Sequence, residues 1–407
     1  MNPQTPRLPL WDAGGLAFLS YGFRPFFLGG ALYSGLAIAI WMPVYFGELT
    51  LHTALAPLDW HIHEMLFGFL PAVIAGFLLT AIPNWTGRPP VRGNLLLLMV
   101  AVWLLGRVAV ACSEQIGWRA AMLVDASFLL LAGAVAAREV LAARNIRNMR
   151  VVALVLLLFG CNIAFHIEAH VQGTAAYSAR AGVAVVVLLV SVIAGRIVPA
   201  FTRIWLMRRP QGAMPVPFSR FDGAAVAFGA LALVAWVVRP EGILTGGLCL
   251  VAGLFHFARL VRWAGYRTWA NRLLVILHIG YAFVPLGFVL AAMSASSLVG
   301  VSAAIHAWMA GGAGIMTLAV MSRASLGHSG RPLAASALTQ GVYVLVTVAA
   351  LVRIAAVFAP AWSNGLICLA AACWSLSFLG FALSYAPMFI AVRLDERAPQ
   401  ASMPSRH

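Results

Sequence analysis

The sequence predicts an all-helical integral membrane protein with about twelve transmembrane helices. Hydrophobic residues make up 62% of the 407-residue chain and charged residues only 10%, against about 25% charged in soluble domains. The apolar residues are gathered into stretches of the length that crosses a bilayer, which is about 20 residues. No stretch sustains the period of two that is typical of strands, so strands are not expected.

Twelve apolar stretches follow one another along the chain, and each is expected to form one span. Several contain glycine and other small residues, which allow helices to pack closely in lipid. Residues 1–392 are expected to form a single polytopic membrane domain, and residues 393–407 a polar cytoplasmic tail. The predicted spans cover residues 26–46, 61–82, 94–112, 118–138, 151–171, 180–199, 222–238, 243–263, 272–292, 299–320, 336–358 and 363–390.

The distribution of arginine predicts the orientation of these spans. The chain contains no lysine, so its 27 basic residues are all arginine. The amino terminus, the loops after even-numbered spans and the tail together hold 22 of them, whereas the opposite side holds three. By the positive-inside rule, both termini are cytoplasmic. The formal charge of +15 is spread over the span ends, which indicates membrane lipid and not nucleic acid as its partner.

A weak repeat links the cytoplasmic ends of spans two, six and ten. Residues 80–89, 194–203 and 321–332 each combine a hydroxyl side chain, an arginine and a proline near the end of a span. The segments are four spans apart, which predicts three pseudo-symmetric four-helix units. The other interpretation is that arginine, proline and glycine collect wherever a span leaves the membrane.

Five histidines are predicted to share one layer in the outer half of the membrane. His61 and His63 open span two, His166 and His170 lie at the outer end of span five, and His306 lies seven residues into span ten. Ionisable groups in a hydrocarbon span are costly and usually mark a functional site. Imidazole binds haem iron, copper and zinc. Because no cysteine or carboxylate cluster accompanies these histidines, haem iron or copper is favoured over structural zinc.

The spacing of His61 and His63 leaves two arrangements open. On a helix, residues two apart point about 200° apart, so the two imidazoles would serve two different centres. If the chain is irregular at this helix start, both could bind one copper ion. His166 and His170 are four residues apart and share one helix face, so they can bind one metal or act as a ligand and its outer partner.

Three further histidines are predicted to lie nearer the cytoplasm. His278 lies in the inner half of span nine, His256 in the inner part of span eight, and His328 follows span ten at the surface. Tyr281 comes three residues after His278 and should share its face, where its hydroxyl can donate a proton or a hydrogen bond. The alternative for Tyr281 is a packed interfacial tyrosine.

The few carboxylates and selected arginines complete the candidate residues. Glu64 and Glu168 are beside histidines in the sequence and could relay protons, or else face water at the membrane surface. Arg107, Asp125 and Arg353 are the charges placed well inside spans. Three arginines near the cytoplasmic surface could pair with haem propionates or contact lipid phosphates. They are Arg196, Arg323 and Arg331.

Five motifs resemble those of the NnrS family. They read GFRPFF at 22–27, WHIHEMLFGF at 60–69, GFLLTAIPNWTGRP at 76–89, LHIGY at 277–281, and HA at 306–307 followed by MTLAVMSRASLGHSGRP at 316–332. The resemblance covers about residues 20–392. It implies a bacterial inner-membrane protein with haem, expected to be of the b type, and copper, tied to denitrification and resistance to nitric oxide. The family's histidines carry over onto His61, His63, His166, His278, His306 and His328, whereas His170 and His256 lie outside the motifs.

The twelve-span plan is also similar, more distantly, to the catalytic subunit of haem–copper oxidases and nitric oxide reductases. In those proteins spans two and ten hold a haem from both sides, which implies His63 and His306 as axial haem ligands here. His61 and His166 would then hold copper or a second haem. Span six carries no histidine in this chain, so His166 and His278 would have to replace the oxidase copper ligands.

The resemblance leads to three hypotheses of function. The first is an enzyme that removes nitric oxide at haem and copper, by reduction or oxidation, with electrons from an unidentified donor. The second is a non-catalytic haem protein that binds or senses nitric oxide, or transfers electrons, which a six-coordinate haem would favour. The third is a transporter of a metal complex or small anion, for which the charges inside spans are thin support.

Overall fold

The structure is a computed structural model that describes residues 17–391, and within this range it contains helices and no strand. Twelve of the described helices are long and apolar enough to cross a membrane, which confirms the predicted fold class. The predicted tail lies outside the described residues. The membrane helices are α1 (Phe23–Tyr45), α2 (Pro57–Thr86), α3 (Asn94–Ala111), α4 (Trp118–Ala142), α5 (Ile146–Gln172), α6 (Ala176–Leu206), α7 (Arg220–Val238), α8 (Ile243–Arg267), α9 (Arg272–Ala295), α10 (Ser302–His328), α11 (Ala337–Phe358) and α12 (Pro360–Ile390).

Several helices run longer than the predicted spans. α2 begins at Pro57 and not at residue 61, so His61 lies in its second turn. Proline suits a first helical turn because its missing N–H would have no partner there. α10 continues to His328, which is its last residue and does not follow the helix as predicted.

The packing of the helices confirms the three predicted four-helix units. The units are α1–α4, α5–α8 and α9–α12. In each unit the third and fourth helices pack against each other, and the fourth packs against the first helix of the next unit. α12 closes the ring by packing along α1. The most enclosed helices are α2, α6, α9 and α10, so residues on α2, α6 and α10 meet near the centre of the ring.

Glycines allow the closest approach between α9 and α10. A Cβ at Gly287 would lie 2.3 Å from the Trp308 ring, and a Cβ at Gly311 would lie 2.2 Å from the Phe283 ring. Each glycine therefore receives an aromatic ring from the facing helix. This is the small-residue packing expected in lipid, where helices gain stability from close contact and not from leaving water.

Two of the central helices contain π-helical segments. One covers Glu64–Phe69 in α2 and begins directly after His63. The other covers Ala307–Ile315 in α10 and begins directly after His306. α6, which carries no histidine, is α-helical from end to end. Because π-helical turns are rare and concentrate at functional sites, their position marks these two histidines.

Candidate functional site

One group of side chains in the described part of the chain has the geometry of a metal site. His63 Nε2 lies 3.1 Å from His166 Nε2 and 3.2 Å from Asp125 Oδ2. The three ligand atoms all lie within 4.8 Å of one another, and the three residues are buried. Two imidazole nitrogens that bind one ion at about 2.0–2.1 Å lie about 2.9–3.3 Å apart at tetrahedral or right-angle geometry. The donor set therefore fits a metal ion.

Neighbouring residues orient these ligands. His63 Nδ1 donates to Glu64 Oε1 at 3.0 Å, which leaves Nε2 of the same ring free to bind a metal. Asn162 lies one turn before His166 on α5, and its side-chain amide donates to Asp125 Oδ2 at 2.7 Å. The site is therefore assembled from α2, α4 and α5, and His63 and Asp125 are each held by a further hydrogen bond.

Arg107 joins the two carboxylates of this cluster. Its guanidinium is hydrogen-bonded to both Glu64 and Asp125, and the Tyr33 hydroxyl donates to Glu64. A Cβ at Gly68 would lie 2.5 Å from Arg107 Nη1, so the absence of a side chain there makes room for the ion pair. Removing one partner of such a buried pair typically costs about 3–5 kcal/mol.

The charges of the cluster favour a bound cation. Glu64 and Asp125 contribute two negative charges and Arg107 contributes one positive charge, so one negative charge remains when both imidazoles are neutral. An uncompensated charge is costly in the interior of a membrane protein. A metal ion between the imidazoles would offset it.

A separate cavity contains the other pair of outer histidines. His61 on α2 and His306 on α10 line a space of about 360 Å³ whose other walls are mainly apolar. The His61 ring stacks on Trp41 at 4.7 Å between ring centroids. His306 Nδ1 lies 2.7 Å from the carbonyl oxygen of Ser302 and donates to it, which leaves Nε2 as the free ligand atom.

Arg353 is the cation of this histidine cavity. Its Nη2 donates to the Ser302 hydroxyl at 3.1 Å, so the guanidinium lies beside the His306 turn of α10. No aspartate or glutamate is among the residues that line the cavity, as far as the described chain shows. The cavity therefore offers two imidazoles, one unpaired cation and an apolar wall, which suits a flat apolar cofactor with acidic groups.

Of the two arrangements predicted for His61 and His63, the structure has the one in which both residues are helical. Both residues are helical, and they belong to different sites: His61 to the cavity and His63 to the cluster. The pairing between helices differs from the analogy. His63 contacts His166, and His306 shares its cavity with His61. The analogy with haem–copper oxidases implied that His63 and His306 face each other, but in the structure they belong to different sites.

Several predicted residues lie elsewhere. Glu168 accepts hydrogen bonds from the backbone N–H groups of Tyr177 and Ser178 at 2.8 and 2.7 Å, so it holds the first turn of α6 and does not contact the cluster. His170 stacks on Trp118 at 4.3 Å, apart from His166. His170 therefore takes no part in the cluster of His63, Asp125 and His166.

Tyr281 was expected to act with His278 and instead contacts His256. The Tyr281 hydroxyl lies 2.7 Å from His256 Nδ1 and accepts a hydrogen bond from Arg259 Nη1 at 3.0 Å. Arg259 Nε in turn donates to Asp222 Oδ1 at 3.0 Å. Tyr281 lies on the same helix as His278, but its hydroxyl contacts His256, which α8 presents to it. This network joins α7, α8 and α9.

The remaining predicted residues lie toward the arginine-rich end. His278 Nδ1 donates to the carbonyl oxygen of Leu274 at 2.9 Å, and His328 packs its ring near Tyr21 and Phe23. The predicted propionate partners do not line the histidine cavity. Arg196 and Arg323 line a second cavity at the other end of α6 and α10, and Arg331 lies in the loop after α10.

Sequence reasoning missed some residues that complete the sites. Tyr33 and Asn162 carry no charge, and nothing in their local sequence distinguishes them. Arg107, Asp125 and Arg353 gave a signal, because a charge inside a span is rare. The rarity of such charges marked these residues as candidates. It could not show which site each belongs to, because the residues that they contact lie on other helices.

These features together define a polytopic helical membrane protein in which one helix contributes a histidine to each of two sites. The chain belongs to the NnrS family, whose family model, described as NnrS protein, matches residues 17–393. Membership suggests a role in the nitric oxide response, and the family is known for binding metal. No curated protein matches the chain.

Proposed function

We propose that this protein is a haem- and copper-containing oxidoreductase that protects the cell by turning over nitric oxide. The observation that carries the proposal is that two histidines of α2 belong to two different sites. His61 and His63 are two residues apart, yet one lines a cofactor-sized cavity and the other belongs to a compact, charged ligand cluster. Two differently built metal sites side by side suit one site that supplies electrons and another that binds the substrate.

The cavity of His61 and His306 is the proposed haem site. His61 and His306, on facing helices, would hold the iron, and the mainly apolar wall suits the porphyrin. A haem held by two histidines would supply electron transfer. Arg353 is the proposed partner of a propionate group, because guanidinium and carboxylate form strong charge-assisted hydrogen bonds.

The cluster of His63, His166 and Asp125 is the proposed copper site. The three residues would supply three ligands, which is the number that catalytic metal sites commonly use. Copper suits the two imidazoles and changes its oxidation state. Reduction of two nitric oxide molecules to nitrous oxide and water takes two electrons and two protons. Glu64, with Tyr33 and Arg107 around it, is the proposed group that holds protons beside this site; Glu168 is too engaged with α6 to share that role.

We also propose that the protein lies in the bacterial inner membrane with both termini in the cytoplasm. The arginine-rich ends of the helices support this orientation. Both histidine sites then lie toward the outer face, because His61 is in the second turn of α2 and His306 in the second turn of α10. Nitric oxide, which crosses membranes as a small neutral molecule, can reach either site from lipid.

The test of this function is an anaerobic titration with nitric oxide. The purified protein in nanodiscs is first analysed for iron, copper and its optical spectrum, and then mixed with nitric oxide and an artificial electron donor. We expect steady consumption of nitric oxide with nitrous oxide as the product. A single stoichiometric change in the spectrum without turnover would instead support a nitric oxide binder or sensor. Absence of both metals would rule out the proposal.

Replacement of Arg353 tests the proposed propionate contact. Arg353→Gln removes the charge but keeps a hydrogen-bond donor, so haem should be lost about tenfold faster, in keeping with the roughly 1.5–3 kcal/mol of a charge-assisted bond. Haem release to apomyoglobin measures the rate. Arg353→Lys should fall in between, since it restores the charge without the planar fork. Arg239→Gln, in an outer loop, is the control and should release haem at the original rate.

A further inference from the structure

A second cavity lies at the arginine-rich end of the molecule. It has a volume of about 410 Å³ and lies among the ends of α2, α6 and α10, with α1, α5 and α9 also contributing to its wall. We call it the inner cavity. His61 and Asn84 lie at opposite ends of α2, and helical rise puts them about 35 Å apart. The inner cavity is therefore separate from both histidine sites.

The inner cavity carries positive charge without a matching negative group. Arg196 and Arg323 line it, and none of its lining residues is an aspartate or glutamate. Neither arginine forms an ion pair within residues 17–391. Arg196 donates to the amide oxygen of Asn148 at 2.8 Å, which satisfies one of its five N–H groups and none of its charge. Two half-buried cations at one cavity favour an anionic ligand.

Aromatic rings hold both guanidinium groups in place. Arg196 lies over the Trp85 ring at 5.5 Å and Arg323 lies over the Phe201 ring at 4.2 Å, both measured to the ring centroid. Cation–π contacts restrict the orientation of each side chain while leaving N–H groups available for a ligand. The rest of the wall is mainly apolar and includes Phe27, Phe77, Ile193, Ile197, Leu277 and Val320. A ligand thus meets donors for an anionic group and a wall for an apolar body.

The position of the inner cavity determines where its ligand comes from. Its walls include residues of α2, α6, α9 and α10, the four most enclosed helices. Leu333, in the loop after α10, also lines it, so the cavity reaches the loops at the arginine-rich end. The arginines at this end concentrate anions from the water around it. These features favour a ligand that comes from water over one that comes from the bilayer.

We propose that the inner cavity binds a soluble organic anion, with an apolar ring or chain and a carboxylate. Arg196 and Arg323 bind the carboxylate, and the aromatic and aliphatic wall covers the apolar body. A bare inorganic anion would leave most of this volume and apolar wall unused. The proposal does not depend on the proposed metal centres, because neither arginine belongs to them.

Equilibrium dialysis with 2-naphthoate tests the site. The full-length protein is placed in nanodiscs of neutral phosphatidylcholine, and empty nanodiscs correct for partition into lipid. We expect saturable binding of one 2-naphthoate per protein and no saturable binding of its neutral analogue, 2-naphthylmethanol. Arg323→Gln should weaken binding by about tenfold or more, the usual worth of a charge-assisted bond. Arg203→Gln is the matched control, because Arg203 lies on α6, is exposed and does not line the cavity; its binding should be unchanged.

Three outcomes would overturn this proposal. The first is that 2-naphthoate binds the protein nanodiscs no more than the empty nanodiscs. The second is that the Arg323→Gln variant binds 2-naphthoate as tightly as the original protein. The third is that native mass spectrometry finds an anionic phospholipid that stays bound and is displaced by 2-naphthoate. If Arg323→Gln does not fold, Arg196→Gln replaces it, and an unchanged unfolding temperature shows that the loss of binding is local. Loss of bound haem in these variants would assign the arginines to a haem instead and would also reject the proposal.

Discussion

His166→Ala is expected to abolish copper binding while leaving haem content unchanged. The substitution removes one of the two imidazoles that converge within 3.1 Å in the cluster. Changes to the outer partners of metal ligands already cost about 10–100-fold in affinity, so loss of a ligand should cost more. Copper per protein, measured by elemental analysis after dialysis against a chelator, should fall to the background level. Turnover of nitric oxide should fall with it.

His170→Ala is a matched control for this substitution. His170 lies one helical turn beyond His166 on the same face of α5, but it stacks on Trp118 and does not reach the cluster. Both variants lose one imidazole from the outer end of the same helix. Copper content that falls equally in the two variants, or that survives in His166→Ala, would show that the cluster is not the copper site.

The features that sequence reasoning predicted are those that local sequence determines. Each span is set by its own hydropathy, so all twelve helices were found. The similarity of three segments at a spacing of four spans predicted the three units, which the ring of helix contacts bears out. The opposite directions of His61 and His63 follow from the helical repeat alone. None of these properties requires knowledge of which helices are neighbours.

The pairing of residues across helices could not be predicted in the same way. His63 and His306 seemed partners because their helices face each other in a similar architecture. The rotation of α2 about its axis decides which histidine faces α10, and that rotation depends on packing over the whole helix. A π-helical segment adds to the uncertainty, since one inserted residue turns every later side chain by about 100°.

The arginine assignments show the same limit. Sequence position placed Arg196 and Arg323 correctly at the arginine-rich end, but it did not show which groups they contact there. Arg353 was noted only as a charge inside a span. Its approach to Ser302 on α10 brings it to the histidine cavity. Depth along the membrane normal can be counted from sequence, but position around the ring cannot.

His61→Ala and His63→Ala are expected to have opposite effects, although the two residues are separated by only one position. His61→Ala removes a proposed axial ligand and should reduce haem content to a small fraction of the original value. His63→Ala should retain haem, because His63 faces His166 and Asp125 and not the cavity. Haem is measured as the pyridine haemochrome, and copper by elemental analysis of the same samples.

The same comparison on α10 completes the argument. His306→Ala should lose haem as His61→Ala does, and the double variant should lose no more than either single variant, since one missing ligand already opens the haem iron. Haem loss in His63→Ala together with its retention in His61→Ala would restore the pairing of His63 with His306 and reject the assignment of the cavity. Such a result would require α2 to be rotated by about 200°, the angle between residues two apart on a helix, and would break the contacts of His63 with Glu64, Asn162 and His166.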